Sequence, residues 1–314
     1  MKAGNVVQWL DKKYHSLNYH LREKFGDKVT KISLDAGFTC PNRDGTLGYE
    51  GCIFCSERGS GDFTSQKENL AQQFEEVRQQ LESKWKNNKY IAHLQAFTNT
   101  YAPVEVLKKK YYEVLDITGV CGIAIATRPD CLQQEVLELL EEINSKTYLF
   151  VELGLQTSND KTARLINRGY ELSCFEKAVK ELRKRNIEVV NHLIFGLPGE
   201  TKEQMLNSVK YIANMDIQGI KLQMLYVLPN TQLAQMYEKK EFELMSQEEY
   251  VNLVADSLEI LPPKIVIHRL TGDGPKDILI APEWSKNKRA VLNAIDKELA
   301  LRNSYQGKFS PSFN

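Results

Sequence analysis

Short apolar runs alternate with longer amphipathic stretches along most of this 314-residue chain. The runs are VTKISLD (29–35), YIAHLQAF (90–97), GIAIAT (122–127), YLFVELGL (148–155), EVVNHLIFG (188–196) and GIKLQML (219–225). Their brevity and β-branched content predict strands buried on both faces, as in a parallel sheet. Between them, helical patterns cover 66–87, 104–117, 133–145, 159–168, 174–186 and 201–213. Thr201 followed by Gln204 predicts a capping box, and Gly169 a helix end. Six strand–helix repeats imply right-handed crossovers in one sheet. The fold class read from this is α/β, a partial (β/α)6 TIM-type barrel. A closed eight-fold barrel and an open doubly wound sheet are the competing arrangements.

KIVIHRL (264–270) offers one more strand, and 5–26 and 286–303 read as flanking N- and C-terminal helices. The pattern predicts a single domain over 1–302, with a barrel core at 27–228 and a C-terminal, substrate-side extension at 229–302. The tail 303–314 reads as disordered.

Composition adds little. Hydrophobic content of 42% and charged content of 26% are those of an ordinary globular protein. Lys and Arg balance Asp and Glu at 41 each, so bulk charge does not announce a nucleic-acid binder. There is no apolar run of about 18 residues to span a membrane. MKAGNVVQWLDKKYHSL lacks a signal-peptide core, so a cytoplasmic location is expected, where thiols stay reduced.

Candidate chemistry concentrates in CPNRDGTLGYEGCIFC, which places Cys40, Cys52 and Cys55 just past the first strand. In a β/α barrel that is the face where active sites assemble. Pro41, Gly45, Gly48 and Gly51 let the segment fold back and bring distant thiolates together. A structural zinc site needs a fourth ligand, from His20 or a remote cysteine. A loop of plain reduced thiols is a second reading. A [4Fe–4S] cluster held by three thiolates is a third, and it leaves one iron open.

The segment resembles the radical S-adenosylmethionine (SAM) superfamily, in the subgroup of bacterial YtqA- and YhcC-like proteins. That subgroup is related to the radical domain of the elongator catalytic subunit. The usual family spacing is C-x3-C-x2-C; here eleven residues separate the first two cysteines. The resemblance implies one [4Fe–4S] cluster on Cys40, Cys52 and Cys55. It also implies SAM bound to the open iron and reductive cleavage to a 5′-deoxyadenosyl radical. Phe54 would pack over the cluster.

The same resemblance implies where SAM is held. Thr98, Asn99 and Thr100 occupy the loop that meets the methionyl amino group in relatives. Glu152 lies in an apolar run, where an unpaired carboxylate costs about 2–7 kcal/mol. It therefore needs a partner, either a salt bridge or the ribose hydroxyls. Gln156 follows on the same strand. Arg168 matches an arginine that pairs with the methionyl carboxylate, although a cation at a helix end also suits the helix dipole. Asn191 and His192 interrupt strand five, and adjacent side chains face opposite sides. Gly196 would let the backbone approach adenine, with Tyr226 and Leu228 near the base.

The branch of the superfamily implies tRNA as partner, at the anticodon loop. The implied reaction converts 5-carboxymethylaminomethyl-(2-thio)uridine at the wobble position to the 5-aminomethyl form, with electrons from a donor such as flavodoxin or ferredoxin. A small-molecule, porphyrin-pathway-like radical enzyme and a non-enzymatic zinc module are the alternatives. Lys12, Lys13, Arg22, Lys24, Lys28 and Lys31, with Tyr14 and Tyr19, form a candidate RNA patch. LKKKYYE (107–113), LRKR (182–185) and SKNKR (285–289) add further basic runs. HRLTGDGP (268–275) supplies the candidate substrate contacts His268, Arg269 and Asp273, and Cys131 a candidate reactive thiol.

Overall fold

Seven strands lie in chain order in one parallel sheet: β1 (Val29–Leu34), β2 (Lys89–Leu94), β3 (Val120–Thr127), β4 (Tyr148–Gln156), β5 (Glu188–Phe195), β6 (Gly219–Met224) and β7 (Val266–Arg269). The computed structural model describes residues 9–59, 61, 64, 69–82, 89–272 and 274–310. The helices are α1 (Leu17–Phe25), α2 (Leu70–Glu82), α3 (Val104–Leu115), α4 (Gln134–Asn144), α5 (Asp160–Leu165), α6 (Leu172–Lys184), α7 (Lys202–Ala213), α8 (Gln232–Glu238), α9 (Gln247–Ile260) and α10 (Lys288–Leu301). The expected partial barrel is present, and KIVIHRL does supply a seventh strand. The capping box at Thr201 and Gln204 forms as the sequence predicts. No described helix is long and apolar enough to cross a membrane.

The sheet must curl. Glu152 on β4 accepts a hydrogen bond from Lys31 on β1 at 3.1 Å and another from Lys221 on β6. In a flat sheet β1 and β4 would stand about 14 Å apart, beyond the reach of these side chains. Among the described residues β1 and β7 form no ladder, so the barrel stays open along that seam. The N-terminal segment lies against the β7 edge, where the Ile267 amide donates to the His15 carbonyl at 2.7 Å.

Alternation along each strand builds two layers. Outward residues such as Leu34, Leu94, Ile125, Leu153 and Leu193 form the main core with the helices. Inward, Val29, Ile91, Ala124, Phe150 and Val190 make an apolar ring, closed from below by Leu21 and Phe25 of α1. The first helix is therefore a plug under the barrel. It is shorter than expected, beginning after Ser16, whose Oγ accepts from the Tyr19 amide.

The tail differs from expectation over 303–310. Ser304 and Gln306 are buried, and the Gln306 side-chain amide donates to the carbonyls of Pro262 and Ile265, both at 2.8 Å. Its polarity serves internal hydrogen bonds rather than solvation. Residues 311–314 lie outside the described residues.

Candidate active site

The cysteine loop closes through its own backbone. The Gly51 amide donates to the Asn42 carbonyl at 2.8 Å, so the long insertion leaves and returns at one point, immediately before Cys52. Arg43 clamps the exit, donating to the carbonyls of Cys55 at 3.0 Å and Ser56 at 2.5 Å. Gly51 has φ +75°, and a Cβ there would meet Arg43 Nε at 2.8 Å, so glycine is needed twice over. Buried Asn42 ties the loop to the barrel by donating to the Asn167 carbonyl at 2.7 Å. The eleven-residue spacing thus builds a pinched excursion that returns Cys52 and Cys55 toward Cys40.

Cys40, Cys52 and Cys55 line one cavity at the C-terminal ends of the strands. A hydrogen bond from the Cys55 thiol brings Cys52 down to about 7, and Arg128, Asn42 and Arg43 add to the effect against burial. The same bond, with burial, pushes the Cys55 thiol up. A site primed to deprotonate one thiol beside two guanidinium groups suits thiolate ligation. Among the described residues, no three His, Cys, Asp or Glu groups converge as the ligands of a single ion would. Three thiols around one open cavity fit a larger cluster.

Thr98, Glu152, Gln156, Arg168, Tyr226 and Leu228 also line the cavity. Gln156 is aimed inward by a bulge in β4, where it takes φ +62°. Phe97, on the opposite wall, has φ +56°. Such φ values in two large non-glycine residues are costly and cluster at functional sites. Tyr226 and Leu228 flank Val227, which is pinned by hydrogen bonds with Ile280 and Ala281. Phe54 lines the cavity beside the cysteines.

Other expectations are corrected. Arg168 reaches the wall, but its guanidinium donates to the carbonyls of Tyr170, Leu155 and Thr157 and to Asp160 at 3.0 Å. It fastens the loop after β4, and the cations that act on Cys52 are Arg128 and Arg43. Glu152 does not wait for ribose hydroxyls: Lys31, His93 and Lys221 occupy its two oxygens. Asn99 and Thr100 lie outside the cavity; Asn99 donates to Ala126 and Ala96, and Thr100 to the Cys131 carbonyl. Asn191 faces away from the barrel interior and His192 lines the cavity, because the odd positions of β5 pack under the helices. The space a side chain would take at Gly196 is filled by Met245, so this glycine offers no approach to the cavity.

The proposed substrate contacts separate as well. His268 sits inside the barrel with its ring 5.1 Å from Phe150, below the mouth. Arg269 follows it at the end of β7, in register with Lys221; it does not line the cavity, but its charge bears on Lys221 and His192, and Asp273 lies outside the described residues. Cys131 is buried off the cavity, and burial pushes its thiol up to about 12, the reverse of a reactive cysteine. Sequence reasoning missed Arg43, Gln95, Arg128, Tyr170 and Gln223 on the wall. For Arg128 a signal existed: it is the first residue past β3.

The basic runs are largely paired. Lys12 bonds Asp296 at 2.5 Å, Lys108 bonds Glu142 at 3.0 Å, and Arg183 bonds Asp216 at 3.0 Å. The N-terminal patch surrounds α1, at the closed end of the barrel, and Lys31 points into the interior. That surface faces away from the cavity.

Comparison with known proteins agrees with this geometry. Residues 40–212 match the Radical SAM superfamily, and residues 217–300 match the Radical_SAM C-terminal domain. The uncharacterized protein YtqA of Bacillus subtilis is 53% identical over 300 residues, covering 95% of this chain and 93% of YtqA. The tRNA uridine(34) acetyltransferase of Methanocaldococcus infernus is 27% identical over 163 residues, 51% of this chain and 30% of that protein. The structure of Methanocaldococcus infernus Elp3 superposes with a TM-score of 0.68 at 17% identity, over 88% of this chain and 64% of that one. Cysteine loop, barrel and sequence kinship together make this chain a radical SAM enzyme, of a family that uses a [4Fe–4S] cluster and S-adenosylmethionine.

Proposed function

We propose that the enzyme acts on the wobble uridine of tRNA, converting a 5-carboxymethylaminomethyl-(2-thio)uridine to its 5-aminomethyl form. The observation that carries this reading is the shared sequence with a tRNA uridine(34) acetyltransferase over 163 residues, about half of the chain. Cys40, Cys52 and Cys55 would hold the cluster, with SAM against the wall formed by Thr98, Gln156, Tyr226 and Leu228. Bound there, the pair supplies a hydrogen-atom acceptor, the 5′-deoxyadenosyl radical, and a one-electron acceptor, the oxidised cluster. The methylene between amine and carboxylate suits this chemistry, because both neighbours stabilise the radical left behind and so weaken its C–H bond. Loss of that hydrogen atom and of one further electron leaves a C=N bond. Its hydrolysis leaves the aminomethyl uridine and frees the two-carbon arm as glyoxylate.

The test is anaerobic incubation of reconstituted enzyme, SAM and a low-potential reductant with tRNA carrying the carboxymethylaminomethyl group. Aminomethyl nucleoside and 5′-deoxyadenosine are expected to accumulate together. Formation of 5′-deoxyadenosine with no change in the nucleoside would sink the substrate assignment and leave the enzyme class intact.

A further inference from the structure

Directly below the cavity the barrel holds a ring of polar side chains: Lys31, His93, Glu152, His192 and Lys221. Glu152 Oε1 accepts from Lys31 at 3.1 Å, and Oε2 accepts from His93 Nε2 at 2.9 Å and from Lys221. Ser33 Oγ lies 3.2 Å from His93 Nδ1, which fits a neutral ring donating through Nε2. Among the described residues, Glu152 is the carboxylate paired with either lysine. Two ammonium groups therefore share one negative charge. Solvent reaches the ring, since the Lys31 side chain is 19% exposed and that of Lys221 6%.

Stability does not ask for this arrangement. An unbalanced buried charge costs several kcal/mol, and apolar residues of similar volume usually do as well or better. The ring just beneath, around Phe150, shows that this barrel is readily filled with apolar side chains. A second observation points upward. His192 lines the cavity as a half-buried residue, and its Nε2 atom is itself buried with no hydrogen-bond partner among the described residues. Glu152 also belongs both to the ring and to the cavity wall. Lys31 and Lys221 are not themselves on the cavity wall; the surplus cation lies just behind Glu152 and His192, which are the ring's boundary with the cavity.

We propose that this ring seats a carboxylate of the substrate, with Lys221 and Lys31 supplying the charge and His192 Nε2–H a directed hydrogen bond. The seat rests on the cavity being the active site. The wobble-uridine reading supplies one concrete guest, the carboxymethylamino arm. A small carboxylic acid is the other source of the same chemistry.

The test uses enzyme carrying its cluster and saturated with SAM. Two anticodon stem–loops, differing only in a carboxymethylaminomethyl or an aminomethyl group on the wobble uridine, are titrated by fluorescence anisotropy. Wild type is expected to prefer the acidic arm by roughly tenfold or more, the worth of one charge-assisted hydrogen bond. The preference is expected to collapse in Lys221→Met and Lys31→Met and to persist in Lys221→Arg, with the aminomethyl loop affected far less. Iron content and thermal melts identify any variant that has not folded, and Lys221→Arg keeps the comparison decisive in that case. Tight binding of both loops without preference, or a preference that survives both Met variants, overturns the carboxylate seat and leaves the tRNA reading standing. If neither loop binds, the tRNA reading falls. Saturation-transfer NMR with N-methylglycine then decides the seat: a signal lost in Lys221→Met supports a small carboxylic acid as guest, and no signal in wild type overturns the proposal.

Discussion

Two rings of side chains occupy the barrel, one step apart along the same strands. Val29, Ile91, Phe150 and Val190 form the lower ring, and the residues two positions on, Lys31, His93, Glu152 and His192, form the upper. Backbone, strand order and depth are nearly the same, yet one ring is apolar and the other carries a buried ion cluster. The lower ring holds the barrel together from inside. The upper ring costs desolvation, which only mutual pairing offsets. The contrast teaches that inward position alone does not set residue type; proximity to the cavity does.

The largest expected effect lies outside both rings. Cys52→Ala is expected to abolish iron binding and 5′-deoxyadenosine formation while leaving the apoprotein melting temperature close to wild type. A large drop in melting temperature would mean that the loop is part of the scaffold rather than mounted on it. Within the rings, Phe150→Ala removes a fully buried aromatic and is expected to cost about 3–5 kcal/mol in denaturant unfolding. Glu152→Gln leaves two buried ammonium groups without their counter-charge and is expected to cost a similar amount, about 3–5 kcal/mol. If Glu152→Gln were neutral, the upper ring would be far wetter than its burial implies.

Acid separates the rings next. Burial holds His93 and His192 down to about 3, against 6.5 in the unfolded chain. The unfolded state therefore binds protons that the native state refuses, and stability is lost as pH falls from about 6.5 toward 3. His93→Gln combined with His192→Gln is expected to reduce that slope in urea titrations across the window, with buried His268, also held well below its ordinary value, keeping part of it. An unchanged slope would assign acid sensitivity to His268 and the surface carboxylates instead. The smallest effect is expected from Lys221→Met. Burial brings this ammonium down to about 7, and its loss leaves a balanced Lys31–Glu152 pair, so stability should change by less than about 1 kcal/mol. The asymmetry between Glu152→Gln and Lys221→Met is the sharpest check that the ring carries surplus positive charge.

How much of this was legible beforehand differs by residue. The cysteines were, because C-x11-C-x2-C in a glycine-rich loop is a local signal that no packing arrangement disguises. Gln156 and Thr98 do line the cavity, Gln156 as a polar residue at the end of an apolar run and Thr98 in the loop that the resemblance pointed to. Arg168 lines the cavity while tying down a loop, and a cation beside a helix end looks the same on paper in either role. Glu152 was rightly identified as needing a partner. The partners are Lys31 and Lys221, distant in sequence, and no periodicity names them.

The sequence by itself determined the alternation of strands and helices, the parallel sheet and the three-cysteine loop. Each rests on spacing within a few residues, where backbone geometry is the only intermediary. Tertiary structure decided which of Asn191 and His192 meets the cavity, which arginine stands by the thiols, and that one carboxylate is shared by two lysines. Those outcomes depend on the curl of the sheet, which sets the inward face and brings β1, β4 and β6 within hydrogen-bonding distance.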